Sequence, residues 1–151
     1  NNLYAMGTAI WRSQSRIDVA DKAKVYGIPS YVVDGMDVLA VETATRAVAR
    51  AIRSGLGPHF LEVRTYRFRA HSMYDPELYR TKEEVEEWKK LDPIGLLEKK
   101  LRVRDALDDA ALERMEREVA AEIDAAVAFA EESPLEPVAD LLRDVHTPVN
   151  A

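Results

Sequence analysis

The chain has 151 residues, 47% hydrophobic and 32% charged, a balance that belongs to a folded globular protein and not to a disordered tract. Asp+Glu 27 outweigh Lys+Arg 21 for a net charge of −6, which argues against general nucleic-acid binding. Cysteine is absent, so disulfides and thiolate metal sites are excluded, and no apolar run approaches the ~20 residues that span a bilayer. The expected location is the cytoplasm, with no membrane partner.

The opening Asn1-Asn2-Leu3-Tyr4-Ala5-Met6-Gly7-Thr8 has no initiator Met and reads as a loop entered from an upstream strand. The expectation is the back part of a longer protein. Residues 17–26 have helical character and stop at Gly27 and Pro29. Ser30-Tyr31-Val32-Val33 predicts a short buried strand, closed by a turn at Asp34-Gly35. Asp37 is placed to cap the next helix, where Val41, Ala44, Val48, Ala51 and Ile52 recur at helical spacing until Gly55, Gly57 and Pro58 end it. Residues 59–66 predict a second strand, apolar at Leu61 and Val63 and cationic just beyond its end.

Strand, helix, strand is a βαβ unit, so the fold class is α/β with a parallel sheet flanked by helices. Two strands do not make a stable sheet alone, and the missing ones are expected upstream of Asn1. From Thr81 the composition turns helical, which divides the chain into residues 1–80, an α/β part with a loop, and 81–151, a helical tail for packing and subunit contact. Thr81-Lys82-Glu83-Glu84 is a capping box for a helix through Trp88. Pro93 starts another, buried through Leu96, Leu97 and Leu101. Asp108 or Asp109 caps a long helix with an inner stripe of Leu112, Met115, Val119, Ile123, Ala126 and Ala130. After the break at residues 133–137, a last short helix carries Val138, Leu141 and Leu142.

The chemistry concentrates in Thr65-Tyr66-Arg67-Phe68-Arg69-Ala70-His71-Ser72-Met73-Tyr74-Asp75-Pro76. If this stretch leaves the strand still extended, period-two alternation sets Arg67, Arg69 and His71 on one face. Such a row repels itself unless an anion sits within it, and phosphate is the obvious candidate. A solvated basic strand end is the alternative. Ligands of open parallel sheets collect beyond the carboxyl ends of the strands, where this row would lie. At the start, Asn2 could offer a side-chain oxygen and Tyr4 a main-chain carbonyl to a hard cation such as Mg²⁺, although Asn-Asn also suits a plain turn. His59 and His146 read as structural or surface residues, Trp11 and Trp88 as packing. Ser72 has no base arranged for nucleophilic work.

Three ordered motifs, the opening Asn-Asn-x-Tyr-x-Met-Gly-Thr, Val33-Asp34-Gly35-Met36-Asp37 and the Tyr66 to Pro76 loop, resemble the alpha subunit of the pyruvate dehydrogenase decarboxylating component. This is a thiamine-diphosphate-dependent 2-oxo acid dehydrogenase family. Residues 78–84 and 91–94 match in order, so the resemblance covers nearly the whole chain, as the C-terminal part of such a subunit. It implies a thiamine diphosphate-binding fold and oxidative decarboxylation of pyruvate with acetyl transfer to lipoyl groups. The implied partners are a beta subunit, in an alpha-two beta-two assembly, and a lipoyl acetyltransferase component.

Of the family's cofactor motif, which begins with Gly-Asp-Gly, only the closing Asn1-Asn2 stands here. The resemblance implies Asn2 and the Tyr4 carbonyl as Mg²⁺ ligands, Arg67 as a diphosphate contact, and His71 as the catalytic and cofactor-contacting loop histidine. Ser72 matches a serine that is phosphorylated in some relatives. Ala70 stands where the family usually has Gly, so a left-handed backbone there would be strained, and Tyr74 replaces a common Ser. The related acetoin dehydrogenase alpha subunit is the close alternative, with Met73 and Pro76 favouring pyruvate. Ala70-His71, where the branched-chain enzyme has paired histidines, speaks against that third relative. A non-catalytic assembly fragment is the reading of a different class.

Overall fold

Short polar side chains shape the start of the chain. The Asn1 and Asn2 Oδ1 atoms accept from the main-chain N–H groups of Leu3 and Tyr4, each at 3.0 Å, the geometry of Asx turns. They bring the backbone through Leu3, whose φ is 71°, into a small antiparallel hairpin of β1 (Tyr4–Ala5) and β2 (Thr8–Ala9). The computed structural model describes residues 1–143 and 145, so His146 lies outside the described residues. The chain divides into two compact units, residues 1–106 and 107–151.

In the first unit, one helical turn, α1 (Ile10–Ser13), leads to α2 (Val19–Val25). Then β3 (Ser30–Asp34), α3 (Val38–Arg53) and β4 (Phe60–Arg64) form the expected unit, with β3 and β4 parallel in register from Ser30↔Phe60 to Asp34↔Arg64. Asp37 caps α3 as anticipated, accepting from the Leu39 and Ala40 N–H groups. On the other side of β4, the Asn1 N–H donates to the Val63 carbonyl at 2.9 Å and Thr65 N–H donates to the Asn1 carbonyl at 2.8 Å. Those two bonds repeat the slanted pattern of a parallel ladder, so Asn1 lies against β4 as a neighbouring strand would. Asn2 therefore sits near the carboxyl end of the sheet.

The motif at residues 33–37 has a local physical cause. The Asp34 Oδ1 accepts from Met36 N–H at 2.9 Å, which tightens the turn. A Cβ on Gly35 would stand 2.5 Å from the Arg64 carbonyl oxygen, so only glycine lets the two strand ends approach this closely. Met36 is then delivered into the core with Tyr4, Ala9, Tyr66 and Val85, and Leu3, Phe68, Tyr79 and Trp88 pack around them. The core thus lies between the opening hairpin and the exit from β4.

Strand β3 is less covered than its apolar sequence predicts. Only Val33 is buried; Tyr31 and Val32 are 48% and 49% exposed. A parallel sheet needs cover on both faces, and two strands with α2 and α3 do not supply it. Beyond β4 come α4 (Lys82–Lys89) and α5 (Pro93–Val103), the latter capped by Asp92 with proline in its first turn. Thr81 Oγ1 accepts from Glu84 N–H as a capping box requires, yet the Glu84 carboxylate turns to two tyrosines instead of completing the box.

The second unit is built on α6 (Asp109–Glu132), capped by Asp108. Its stripe is not an inner one in this unit: Met115, Val119 and Ile123 are exposed, with ion pairs such as Arg117–Glu113 alongside. The expected last helix shrinks to a 3-10 turn, Val138–Asp140, after Pro137. No helix among the described residues is long and apolar enough to cross a membrane.

Candidate functional site

Two segments meet beyond the carboxyl end of β4. The first is the opening turn. Its footing is Glu62, a carboxylate in the middle of β4 that is only 3% exposed. Its Oε1 accepts from Asn1 Nδ2 at 2.8 Å and Arg64 Nε at 3.1 Å, and its Oε2 accepts from the Ala20 N–H at 3.0 Å, at the start of α2. Burial raises the Glu62 pKa, but the bonds from Asn1, Arg64 and Ala20 outweigh it and leave the carboxyl below its ordinary value. Asn2 Oδ1 accepts one bond, from Tyr4, which leaves it acceptor capacity toward a cation. The Tyr4 ring faces the core, and its hydroxyl donates to Glu84 Oε1 at 2.7 Å. Burial first, and the Glu84 carboxylate second, raise the Tyr4 pKa.

The second segment is the loop after β4. The strand ends at Arg64, short of the expected Tyr66, and the backbone bends at Arg69, so strand alternation does not reach His71. The cations accordingly do not share one strand face. Arg67 is half-buried; Arg69 and His71 are exposed. Arg67 Nη2 donates to the Met6 carbonyl and to the Tyr79 hydroxyl, each at 2.8 Å, which ties this guanidinium to the opening segment that carries Asn2. Its Nε is buried without a hydrogen-bond partner among the described residues. A buried donor of a cation without an acceptor is costly, and an anion would satisfy it.

From Arg67 the bonding continues outward. The Tyr79 hydroxyl donates to Asp75 Oδ2 at 2.7 Å, and the same oxygen accepts from the His71 N–H at 3.0 Å. Asp75 also accepts from Glu77 N–H at 2.9 Å. The Tyr79 hydroxyl and then the Glu77 N–H hold the Asp75 carboxyl below its ordinary pKa, with the Arg67 charge a smaller contribution. Main chain at His71 is thereby fixed to Arg67 through two side chains, while the imidazole faces outward. Ala70 does not adopt a left-handed backbone, so the replacement of glycine carries no strain; Glu77, with φ 55°, does adopt it.

Sequence reasoning missed two residues at this site. Glu62 reads as an ordinary strand residue, although an acid between apolar neighbours was a signal. Arg80, just ahead of the α4 cap, has a side chain that is 0% exposed. Its guanidinium donates to Glu77 Oε1 and to the carbonyls of Arg67 and Phe68, and lies over the rings of Tyr4, Tyr66 and Tyr79. Of the residues set aside, Trp88 stacks on Tyr66 at 4.9 Å and Trp11 lies edge-on to Tyr4, both as packing residues. His59 Nδ1 contacts the Gly57 carbonyl, and Ser72 is exposed.

A hollow of about 520 Å³ beside the opening turn is lined by Asn2, Tyr4, Thr8, Gln14 and Lys22. A larger one, about 730 Å³, runs along α3 over Val38, Val41, Ala49 and Val63, edged by Glu42, Arg46, Arg50 and Arg53, and neither Asn2 nor Arg67 lines it. The smaller hollow is the one beside Asn2, with polar groups able to orient a ligand there. No cluster of His, Asp or Glu able to hold a metal occurs among the described residues, so a cation here would rest on amide and carbonyl oxygens.

The model of the family described as "Dehydrogenase E1 component" matches residues 1–139. The chain is 38% identical over 146 residues to the pyruvate dehydrogenase E1 component subunit alpha of Rhizobium meliloti, covering 96% of this chain and 42% of that protein. To the protein of the same name from Zymomonas mobilis it is 40% identical over 136 residues, 89% of this chain and 38% of that one. The Porphyra purpurea protein of that name is 40% identical over 144 residues, covering 95% and 42%. The chain thus spans less than half the length of these curated relatives. With the family model matched along most of its residues, the chain belongs to the dehydrogenase E1 component family.

Proposed function

We propose that this chain is the C-terminal part of the alpha subunit of a pyruvate dehydrogenase, which decarboxylates pyruvate oxidatively and passes the acetyl group to lipoyl groups. Thiamine diphosphate and Mg²⁺ are the cofactors, and a beta subunit and a lipoyl acetyltransferase component are the partners. The α/β part is then a portion of a thiamine diphosphate-binding fold, and the helices beyond residue 81 serve packing and subunit contact.

One observation carries the reading: a buried Arg67 Nε without a partner among the described residues, on a guanidinium bonded to the segment that holds Asn2. A diphosphate is the kind of anion that supplies the missing acceptor. In this assignment Asn2 Oδ1 and the Tyr4 main-chain carbonyl hold Mg²⁺, Arg67 binds the diphosphate, and His71 serves the cofactor and acyl transfer. Thiamine diphosphate, when bound, supplies the electron sink for decarboxylation. The chain's own work is to orient and to balance charge. The exposed imidazole of His71 is free to meet an incoming acceptor, while its backbone is held by Asp75.

The named relatives favour pyruvate over acetoin as the substrate. The test is turnover of pyruvate, acetoin and branched 2-oxo acids by the intact alpha–beta assembly. Pyruvate is expected to be preferred, and a preference for acetoin would replace this assignment with the related dehydrogenase. His71→Ala is expected to impair lipoyl acetylation far more than assembly.

A further inference from the structure

We propose that Arg80 is a positioning residue for the anion site: from a buried cage it fixes the backbone that aims Arg67. The inference rests on the function proposed above and concerns a residue that, in that assignment, touches neither cofactor nor substrate.

A guanidinium has five N–H donors in a planar fork and no acceptor, so its burial demands acceptors on several sides. Arg80 finds them almost entirely in the loop it serves. Nε donates to Glu77 Oε1 at 2.9 Å, Nη1 to the Arg67 carbonyl, and Nη2 to the Phe68 carbonyl at 3.2 Å. Two successive carbonyls held by one rigid group fix the peptide planes that follow Arg67 and Phe68. The direction in which the Arg67 side chain leaves the backbone is then set.

The cage adds a second constraint. The Arg80 guanidinium carbon lies 5.9 Å from the ring centroid of Tyr4, 5.5 Å from that of Tyr66 and 5.7 Å from that of Tyr79. The Tyr79 hydroxyl accepts from Arg67, and Tyr4 belongs to the turn of Asn2. One buried cation therefore touches the residues flanking both halves of the candidate site. Among the described residues one carboxylate pairs with it, Glu77, whose own backbone is left-handed. A lysine would keep the charge but, as a point donor, could not hold two carbonyls and a carboxylate in one plane.

The experiment uses the intact alpha subunit assembled with its partner, as wild type, Arg80→Lys and Glu77→Gln. The ligand-free loop is probed by chymotrypsin at Tyr74 and trypsin at Arg69, both exposed. Calorimetry then compares the affinities for thiamine diphosphate and thiamine monophosphate in the presence of Mg²⁺. Arg80→Lys is expected to speed loop cleavage about tenfold and to narrow the preference for the diphosphate by about tenfold, the scale of one hydrogen bond to a charged group. Glu77→Gln should move both readouts the same way by a smaller factor, and it decides the matter if Arg80→Lys does not fold. A merely structural role would weaken both ligands equally and lower the melting temperature without singling out the loop; that pattern, or wild-type cleavage and preference, overturns the proposal. If the wild-type assembly binds no thiamine diphosphate, the proposed function fails, while the cleavage arm still judges Arg80.

Discussion

Two buried charges of opposite sign anchor the two segments of the candidate site, and they do so in different ways. Glu62 gathers donors from three places, the Asn1 amide, the first turn of α2 and its strand neighbour Arg64, which is itself bonded to Asp18. Arg80 gathers acceptors from the loop it lies beneath, and ring faces from the tyrosines around it. Each charge chooses partners its chemistry allows, since a carboxylate only accepts and a guanidinium only donates. Glu62 accordingly belongs to the fold, and Arg80 to the site. Loss of the first should loosen the sheet and α2 together; loss of the second should loosen the loop.

Glu62→Ala is the hardest blow to that contrast. It strips a buried acceptor from three donors and is expected to lower the stability of the intact protein by about 2–4 kcal/mol, read by chemical denaturation. A drop confined to the loop, without a shift of the global transition, would make the two anchors alike. The pH dependence sharpens the point. The folded Glu62 carboxyl lies below its ordinary pKa, so its stabilisation is present above the unfolded value and is lost as pH falls through the folded one. The gap between wild type and Glu62→Gln should therefore be full above about pH 5.5 and shrink in more acidic solution.

Gly35→Ala presses on the same side, because the added methyl meets the Arg64 carbonyl at the end of β4. A cost of about 1–3 kcal/mol is expected from overpacking against backbone, with thermal denaturation as the measure. Tyr66→Phe removes a donor from the other side. Glu84 keeps the Tyr4 hydroxyl as a partner, so the loss should stay near 1 kcal/mol. The smallest effect serves as a control outside both anchors. Asp105 has φ 54° just past the end of α5, and Asp105→Gly is expected to stabilise by about 0.5–1 kcal/mol without altering loop proteolysis.

Helix starts were legible because their signals are local. Asp37, Thr81, Pro93 and the pair Asp108-Asp109 mark helix starts within three residues, and the structure caps those helices with Asp37, Thr81, Asp92 and Asp108. Both parallel strands were legible from β-branched runs and the turns around them. The hairpin of β1 and β2 was not, since two-residue strands leave no period to read and depend on Asx turns and the tight bend at Met6-Gly7. Buried charges escaped for a different reason. The partners of Glu62 include Asn1 and Ala20, far away in sequence, and composition alone makes an acid or arginine read as solvated. Within the site, the bond from Arg67 to the Met6 carbonyl spans 61 residues and leaves no local signal, and the expected three-cation row does not form, because the strand stops at Arg64 and the loop bends.

The stack of Trp88 on Tyr66, with planes 8° apart, has a practical consequence. Tyr66 also forms one wall of the cage around Arg80, so any rearrangement of that cage alters the surroundings of the Trp88 indole. The chain has two tryptophans, and the other, Trp11, is 57% exposed. With Trp11→Phe as background, ultraviolet emission from the single remaining indole of this chain becomes a native optical gauge of the loop, needing no attached dye.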